Sequence, residues 1–391
     1  MKRWSLLLAA AAGVAPAAEP PPALDLRETL LQLPVTVQDT FGRRETRTIV
    51  VTTFRPPGDG PFPLLVLNHG RATQDRRAGQ GHQRYEPQSR YFVSLGFAVF
   101  VPTRVGYGDT YGDFDPEFAG DCQAMRPAAA SQAAADQVLA TVALARTLPW
   151  VDASRWVVIG QSLGGLTTLA VAARNPPGLV AAVNFGGGHG GRPDTNPGSS
   201  CSPTALSTLW QQQGAAAPLP TLWLYWANDR YWGAEWPQRW AKAWQDGGGK
   251  AEFHALPEAG ADGHQGFVAQ MDQWVPLVES YLARAGFARS GVVARPPASG
   301  FAALDDAARV PVAPAARENL YTRFLKTDKR PRAFAVGPSG SAGFASGDWA
   351  LGRALGYCQA TRGLPCKLYA VDDDVVWPAA SASASASATS P

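Results

Sequence analysis

The stretch WVVIGQSLGGL, residues 156–166, decides the fold of this chain. Residues 156–159 form a short apolar run typical of a buried strand, and residues 163–174 are predicted to form a helix. Between them, GQSLG fits the G-x-S-x-G pattern, whose serine sits on a sharp turn from a strand into a helix. The stretch therefore predicts that Ser162 stands above a sheet with its hydroxyl exposed.

Gly160 and Gly164 flank this serine, and side chains at either position would clash across so tight a turn. A Gly-Ser turn that merely caps a helix would show the same five residues. The strand before and the helix after the turn favour the other interpretation, in which Ser162 is a nucleophile.

Apolar strands alternate with helices on both sides of this turn. The predicted strands are 35–41, 46–54, 64–67, 97–101, 156–159, 179–183, 221–226 and 251–255. The predicted helices are 85–95, 128–148, 163–174, 202–213, 234–245 and 267–285. This alternation predicts a doubly wound α/β fold, with a mostly parallel sheet covered on both faces and an antiparallel hairpin at its edge.

A serine hydroxyl attacks well only when a base removes its proton, and with this turn the chain order is Ser, acid, His. His264 lies in the loop between the last strand and the last helix, whereas His254 lies inside a strand, where a structural role is expected. Asp229 follows the strand 221–226, whereas Asp262 is too close to His264 and is expected to shape its turn. The predicted catalytic residues are Ser162, Asp229 and His264.

An oxyanion hole needs two backbone N–H donors. The residue after the nucleophile, Leu163, is predicted to supply one. The loop after the strand 64–67 is expected to supply the other through Arg71, because Gly70 lets the backbone approach. His69 in the same loop is an alternative base, but a loop-shaping role is preferred.

These residues resemble the α/β-hydrolase superfamily, close to the dienelactone hydrolase group and its relatives among secreted esterases and acyl peptidases. The resemblance covers roughly residues 35–285. It rests on Asn68-His69-Gly70, Arg104-Val105-Gly106-Tyr107-Gly108, Gly160-Gln161-Ser162-Leu163-Gly164-Gly165, Asp229 and His264. It implies an α/β-hydrolase fold and a serine esterase that forms an acyl-enzyme. Dienelactone hydrolases generally carry a cysteine nucleophile, so Ser162 argues against dienelactone as the substrate.

Two other functions compete with the esterase. A serine peptidase of the acylaminoacyl or dipeptidyl peptidase type uses the same acyl-enzyme chemistry, so the triad does not separate the two. Such peptidases usually carry a large N-terminal propeller. Too little sequence precedes the first strands here to form one, and this favours the esterase over the peptidase. A non-catalytic binding protein on the same fold is the third candidate, and an intact triad argues against it.

Composition excludes several classes of protein. Of 391 residues, 17% are charged and the net charge is only +3, which argues against nucleic-acid binding. No apolar stretch reaches 18 residues, so no transmembrane segment is expected. The expected partner is a small-molecule or polymeric ester. Neither C-x-x-C nor H-E-x-x-H occurs, so no metal site and no cofactor is predicted.

The first residues have the three parts of an export signal: Lys2 and Arg3, an apolar run at 6–14, and the small residues 15–17. Cleavage after Ala17 would deliver the protein to the periplasm or the medium. These compartments are oxidising, which fits the presence of cysteines that can pair.

Four cysteines allow three pairings. Cys358 and Cys366 are only eight positions apart, so a local bridge is the simplest choice. That choice leaves Cys122 to pair with Cys201. The loops that end at these two cysteines both follow strands near Ser162, so this second bridge would join them over the mouth of the pocket.

The sequence divides into six parts. They are a signal peptide (1–17), an N-terminal lead (18–34), the catalytic domain (35–285), a loosely packed linker (286–316), a small α+β module (317–378) and a disordered Ser/Ala tail (379–391). The module resembles a small strand-helix-strand unit of secreted bacterial proteins, with strands at 333–336 and 366–371 and a helix at 349–359. An accessory role is expected for it, such as packing on the hydrolase or contacting the cell envelope.

Three segments are expected around the pocket. Tyr231 and Trp232 directly follow the predicted acid and are candidates for an aromatic substrate subsite. The glycine-rich run at 186–191 follows the wrong strand for a phosphate cradle and is interpreted as a flexible rim. Arg71, Arg76 and Arg77 either attract an acidic substrate or form a solvated basic loop.

Overall fold

The computed structural model describes residues 22–291, 293–360 and 365–378. The predicted signal peptide at 1–17 and the predicted tail at 379–391 lie outside these ranges. Within the ranges, no helix combines the length and the apolar character needed to cross a bilayer.

The first two thirds of the described chain build one sheet of eight strands. The strands are β1 (Thr29–Gln38), β2 (Arg44–Phe54), β3 (Phe62–Asn68), β4 (Ala98–Thr103), β5 (Val151–Gln161), β6 (Leu179–Phe185), β7 (Thr221–Trp226) and β8 (Ala251–Leu256). Their order across the sheet is β1-β2-β4-β3-β5-β6-β7-β8. From β4 to β8 the neighbours run parallel, while β2 pairs antiparallel with both β1 and β4. The predicted mostly parallel sheet with an antiparallel hairpin at its edge is confirmed.

Helices cover both faces of this sheet. They are α1 (Gln74–Arg77), α2 (Glu86–Ser94), α3 (Pro127–Ala145), α4 (Leu163–Ala173), α5 (Pro203–Ala216), α6 (Glu235–Asp246), α7 (Gly266–Ala269) and α8 (Met271–Arg284). Successive strand residues point to opposite faces. Accordingly, Leu64 and Val66 of β3 belong to one apolar core, and Leu65 and Leu67 belong to the other. This architecture is the α/β-hydrolase fold.

The first strand starts earlier than the sequence indicated. β1 begins at Thr29, so the end of the predicted N-terminal lead belongs to the sheet. Pro34 argued against a strand before residue 35, because proline cannot donate a hydrogen bond within a sheet. It is tolerated here because β1 is an edge strand.

The last helix of this domain is interrupted. In place of one helix over 267–285, α7 and α8 are separated at Gln270, whose φ of −139° and ψ of 51° are not helical. Asp348 accepts hydrogen bonds from the backbone N–H groups of Met271 and Asp272, at the start of α8. Because this cap comes from a distant part of the chain, the break has no local signal.

The C-terminal module is a second, smaller sheet with helices. Its strands are β9 (Arg332–Val336), β10 (Ala342–Ser346), β11 (Lys367–Val371) and β12 (Asp374–Val375), in the order β10-β9-β11-β12 and antiparallel throughout. Its helices are α9 (Pro314–Ala316), α10 (Thr322–Lys326) and α11 (Ala350–Ala360), with a π-helical turn at Arg317–Tyr321. The predicted strand-helix-strand unit is present, with two additional strands, the two-residue β12 and β10. The small residues of β10 carry little strand signal.

The segment before the module is not loose over its whole length. Val310 and Val312 are buried in the module's core, beside Phe334 and Tyr369. The end of the predicted linker therefore contributes to the packing of the module, because its two valines cover one face of the small sheet.

Candidate active site

Ser162 lies on the sharp turn between β5 and α4. Its φ of 57° and ψ of −122° are conformations that residues other than glycine rarely adopt, so the turn holds this serine under strain. The Ser162 N–H donates to the Phe185 carbonyl (2.9 Å), and the Ser162 carbonyl accepts from the Gly188 N–H (3.2 Å). These bonds tie the turn to the end of β6 and to the loop that follows it.

The two glycines of the turn are required by close approach. A Cβ on Gly160 would lie 2.1 Å from the Gly164 carbonyl oxygen, and a Cβ on Gly164 would lie 2.2 Å from the Asn68 carbonyl oxygen. Neither distance is compatible with a side chain. The clash inferred from the sequence is therefore present, and it includes the neighbouring strand β3.

His264 and Asp229 meet beside this turn. His264 Nδ1 lies 2.9 Å from Asp229 Oδ2, and both side chains are buried. The other oxygen of Asp229 accepts the backbone N–H groups of Tyr231 (2.8 Å) and Trp232 (3.1 Å). Because these bonds fix the carboxylate, it holds the imidazole in one orientation, with Nδ1 as the hydrogen-bond donor.

Gly186 is a residue of this site that sequence reasoning did not identify individually. Its φ is 52°, and a Cβ there would lie 3.6 Å from Asp229 Oδ2 and 3.8 Å from His264 Nδ1. These distances are ordinary van der Waals contacts, so it is the positive φ that favours glycine at this position beside the Asp–His pair. The signal was the glycine run directly after β6.

Asp262 and His254 have the places that the sequence suggested. Asp262 Oδ1 accepts from the backbone N–H groups of His264 (2.9 Å) and Arg230 (3.0 Å), so it shapes the turn that carries the histidine. His254 lies within β8, where its Nε2 is 3.0 Å from Glu252 Oε1.

Tyr231 and Trp232 surround the imidazole but differ in exposure. The Tyr231 ring lies 4.1 Å from the His264 ring, centroid to centroid, and is partly exposed in the cleft. Trp232 is buried, and its Nε1–H donates to the Gly186 carbonyl (2.7 Å). Tyr231 is therefore open to a ligand, while Trp232 forms mainly the wall behind it.

The loop after β3 lies directly against the serine. A Cβ on Gly70 would lie 3.1 Å from Ser162 Cβ, which is a tight contact, and 3.7 Å from its Oγ, so glycine keeps this side of the serine uncrowded. The backbone at Arg71 follows immediately, and Leu163 is the first residue of α4. The two predicted N–H donors thus lie on the two chain segments that flank Ser162.

His69 is buried and fully engaged in hydrogen bonds. Its Nε2 accepts the Arg104 backbone N–H (3.1 Å), so Nδ1 carries the proton and donates to the Gly70 carbonyl (2.7 Å). Burial, together with the charge of Arg104, holds the pKa of His69 well below its ordinary value. A neutral imidazole with both nitrogens occupied is unsuited to act as the base, and His69 shapes the loop instead.

The arginines of this loop form neither a free basic patch nor a fully solvated loop. Arg71 donates two hydrogen bonds to Asp115, with Nη1 to Oδ1 at 3.0 Å and Nη2 to Oδ2 at 2.5 Å, and Arg77 Nη1 adds a third at 2.7 Å. Burial alone would raise the pKa of Asp115, but Arg71 and Arg77 lower it below the ordinary range. Arg76 is exposed. Asp115 was not a candidate because it lies far from the loop in sequence.

A buried network supports the same loop from below. The Arg104 guanidinium pairs with Glu117 through Nε and donates through Nη2 to the His69 carbonyl (2.8 Å), while Tyr107 Oη donates to Glu117 Oε2 (2.7 Å). Arg104 and Glu117 are fully buried, so each charge depends on the other. This network links the segment 104–117 to the backbone beside Ser162.

His189 is a second residue that the sequence reading passed over. Its Nε2 donates to the Glu117 carbonyl (2.9 Å), so the neutral ring keeps its proton at Nε2. Burial, followed by the charge of Arg71, lowers the pKa of His189 to about 4. It is therefore a neutral part of the wall of the cleft.

A cleft of about 1000 Å³ opens onto Ser162. Its lining residues are Asp39, Phe41, Arg43, 71–74, Arg77, 112–113, Asp115, Phe118, 162–163, 188–195 and 231–232. The glycine-rich run does border the cleft, as predicted for a rim. The tip of the β1–β2 hairpin, residues 39–43, also reaches the cleft, which the sequence had not suggested. In the described part of the chain, no group of three or more His, Cys, Asp or Glu could hold a metal ion.

Both predicted disulfides are present. Cys122–Cys201 joins two loops that border the cleft, and Cys358–Cys366 closes a short loop in the module. The first bridge links segments 79 positions apart and so restrains both sides of the cleft.

Similarity to solved structures is broad and low in identity. A dienelactone hydrolase homologue of Klebsiella pneumoniae is 17% identical, with a TM-score of 0.43, over 67% of this chain and 99% of that one. An esterase of Pyrococcus furiosus is 13% identical, with a TM-score of 0.44, over 69% and 98% of the two chains. The acylaminoacyl peptidase of Pyrococcus horikoshii is 12% identical, with a TM-score of 0.41, over 67% and 42%. No curated protein matches the chain.

A family model gives the more specific result. The model described as X-Pro dipeptidyl-peptidase (S15 family) matches residues 46–256, more than half of the chain. This range runs from β2 to β8 and includes Ser162 and Asp229. The chain is thus a serine hydrolase of the α/β-hydrolase class and belongs to the X-Pro dipeptidyl-peptidase (S15) family.

Proposed function

We propose that the protein is a secreted serine esterase that cleaves a carboxylic ester through Ser162, His264 and Asp229. The main support is the way three separate segments converge. A strained serine at the end of β5, a histidine held by a buried aspartate, and the Gly70 backbone against the serine lie at one edge of the sheet. This is the arrangement that acyl transfer requires.

In this proposal Ser162 Oγ attacks the ester carbonyl while His264 Nε2 accepts its proton. Asp229 keeps the imidazole oriented through Nδ1 and stabilises its protonated form. The backbone N–H groups of Leu163 and Arg71 donate to the oxyanion of the tetrahedral intermediate. His264 then gives the proton to the departing alcohol, which leaves an acyl-enzyme. A water molecule repeats the same steps to release the carboxylic acid and restore Ser162.

Two of the acidic residues of the cleft are engaged by arginines, which favours an ester over a dipeptide with a free amino terminus. Such a terminus is a cation and needs a carboxylate as its partner. Asp115 is paired with Arg71 and Arg77, and Asp113 with Arg43 at 3.1 Å. A neutral ester needs no carboxylate partner.

The second candidate is a dipeptidyl peptidase, and the family match favours it. Asp194 lines the same cleft and is the carboxylate that a substrate ammonium would meet. A direct comparison of substrates separates the two candidates. We expect the purified protein to hydrolyse 4-nitrophenyl acetate at least tenfold faster, by kcat/KM, than glycyl-prolyl 4-nitroanilide. Faster release of 4-nitroaniline would favour the peptidase. The Ser162→Ala protein provides the background rate for both substrates.

We also propose that the protein acts in the periplasm or outside the cell. Two disulfides support this, since such bridges form in oxidising compartments. N-terminal sequencing of the protein recovered from the periplasm or medium should show cleavage after Ala17. An uncleaved chain retained in the cytoplasm with free thiols would contradict the proposal.

A further inference from the structure

Two large aromatic rings are exposed at the mouth of the cleft. Phe41 is 68% exposed and Phe118 is 40% exposed, although phenylalanine is usually buried. Their centroids are 6.2 Å apart and their planes differ by 31°. Both rings line the same cleft as Ser162. An aromatic pair left open to water within a cleft is a typical feature of a ligand-binding surface.

The topology of the sheet explains why Phe41 lies at the cleft. β1 is antiparallel to β2, and β2 is antiparallel to β4, so β1 runs in the same direction as the parallel strands. The turn after β1 therefore lies at the carboxyl edge of the sheet, where β5 ends and Ser162 begins. The β1–β2 hairpin at the edge of the sheet thus places the Phe41 side chain in the cleft.

The conformation of the hairpin tip is fixed. Asp39 Oδ1 accepts the backbone N–H groups of Phe41 (2.8 Å) and Arg43 (2.9 Å), and Gly42 provides the positive φ that closes the turn. A residue held in this way loses little conformational freedom when it binds a ligand.

Phe118 lies on a loop that is anchored at several points. Arg43 Nη2 donates to Asp113 Oδ2 (3.1 Å), which joins the hairpin tip to this loop. The neighbouring Glu117 is buried in its pair with Arg104, and Cys122 is bonded to Cys201. The segments that carry the two rings are therefore both anchored, one on either side of the pair.

The charged groups around the rings are already paired. Arg43 contacts both Glu45 and Asp113, and its guanidinium lies 5.3 Å from the centre of the Phe114 ring. The Asp39 carboxylate is engaged in the turn. A substrate entering on this side consequently meets the exposed rings of Phe41 and Phe118, beside charged groups that already have partners.

We infer that Phe41 and Phe118 form an apolar subsite that binds an alkyl or aromatic group of the substrate, at a distance from the bond that is cleaved. This inference rests on the proposed esterase function and extends it to a substrate class, namely esters with an uncharged apolar group on the acyl or the alcohol side. Binding there buries ring surface that is exposed in the free protein.

The test compares three esters that differ only in apolar size: methyl acetate, methyl hexanoate and benzyl acetate, with acid release followed by pH-stat titration. We expect kcat/KM to be higher for one or both of the larger esters. Methyl hexanoate enlarges the acyl side of the ester, and benzyl acetate enlarges the alcohol side. The pattern of rates therefore also shows which side of the substrate the subsite binds. Phe41→Ser and Phe118→Ser should each reduce that preference about fivefold, with methyl acetate changed less than twofold. Phe41→Tyr should retain the preference, because it keeps the ring.

Leu30→Ser is the matched control. Leu30 is an exposed apolar residue (48%) at the opposite end of β1, outside the cleft. This variant should not change the preference. Equal effects of the Phe variants on all three esters, or no effect on any, would overturn the subsite.

A different result would count against the proposed function alone. If the wild-type protein hydrolyses none of the three esters, the proposed esterase function is wrong, but binding at the subsite can still be tested. In that case the binding of benzyl alcohol to the Ser162→Ala protein is measured by saturation-transfer NMR. Saturation transfer that is lost on adding Phe41→Ser but kept with Leu30→Ser supports the subsite, and transfer unaffected by Phe41→Ser refutes it.

Discussion

His264 Nδ1 lies 2.9 Å from Oδ2 of Asp229, although the two residues are 35 positions apart in the sequence. The contact forms because the loops after β7 and β8 leave the same edge of neighbouring parallel strands. Both groups are buried, so the carboxylate acts on the imidazole without competition from water. This pair is the basis of the first prediction.

Asp229→Asn should lower kcat for ester hydrolysis by roughly 10⁴-fold, as expected for the acid of a triad, because the amide no longer holds the required tautomer. Steady-state kinetics measures this. Asp262→Asn is the control, since its side-chain oxygen can still accept from the His264 N–H, and it should stay within about threefold of the wild type. Equal losses in the two variants would show that Asp229 acts only through the shape of the loop.

Ser162→Ala should reduce turnover by about 10⁶-fold while leaving the fold intact, because only the attacking oxygen is removed. Circular dichroism and thermal unfolding would verify the fold. Retention of more than a tenth of the wild-type rate would refute the assignment of Ser162 as the nucleophile.

The two disulfides should differ in their contribution to stability. Cys122–Cys201 spans 79 positions and Cys358–Cys366 spans eight, and a longer loop restrains the unfolded chain more. Loss of the first bridge in a double Ser variant should lower the unfolding free energy by about 4.5 kcal/mol, and loss of the second by about 2.5 kcal/mol. Urea denaturation measures both. The reverse order would contradict the loop-length argument.

Acid should destabilise the protein partly through His189. Burial lowers its pKa to about 4 in the folded state, whereas the unfolded residue has a pKa near 6.5. Below pH 6.5 the unfolded chain therefore binds a proton that the folded chain does not, and stability falls until about pH 4.

His189→Gln retains a donor for the Glu117 carbonyl but does not titrate. The loss of unfolding free energy between pH 7 and pH 4.5 should be smaller in this variant by about 2 kcal/mol. Urea denaturation at the two pH values gives the difference. An identical loss in both proteins would exclude His189 as a source of the acid sensitivity.

The C-terminal module should stabilise the hydrolase domain through Trp349. This side chain packs edge-on against Tyr91, with centroids 5.6 Å apart, and its Nε1–H donates to the Gly291 carbonyl (3.1 Å). Trp349→Ala should lower the unfolding free energy by about 3 kcal/mol, while the rate on a small ester stays within a few-fold.

Trp377 provides the control, because it packs on Tyr369 inside the module. Heat inactivation of ester hydrolysis reports on the hydrolase domain. Trp349→Ala should shorten the half-life at elevated temperature, and Trp377→Ala should change it less. The opposite ranking would show that the contact made by Trp349 contributes little to the main domain.

Local sequence determined the features that depend on neighbouring residues. The strand-turn-helix around Ser162, the alternation of strands and helices, and the bridge between Cys358 and Cys366 each follow from a short stretch of chain. The choice of Ser162, Asp229 and His264 as candidates also followed from the sequence, because a serine on this kind of turn is followed along the chain by the acid and then by the histidine.

Only the tertiary structure decided the contacts between distant segments. Phe41 reaches the cleft because its hairpin joins the edge of the sheet in one particular direction, and Asp115 pairs with Arg71 although they are 44 positions apart. The break before α8 likewise depends on Asp348 from the module. Burial and pairing of this kind depend on which segments pack together in space. A hydrophobic pattern along the chain specifies which residues are buried, but it does not specify which distant residues they will contact.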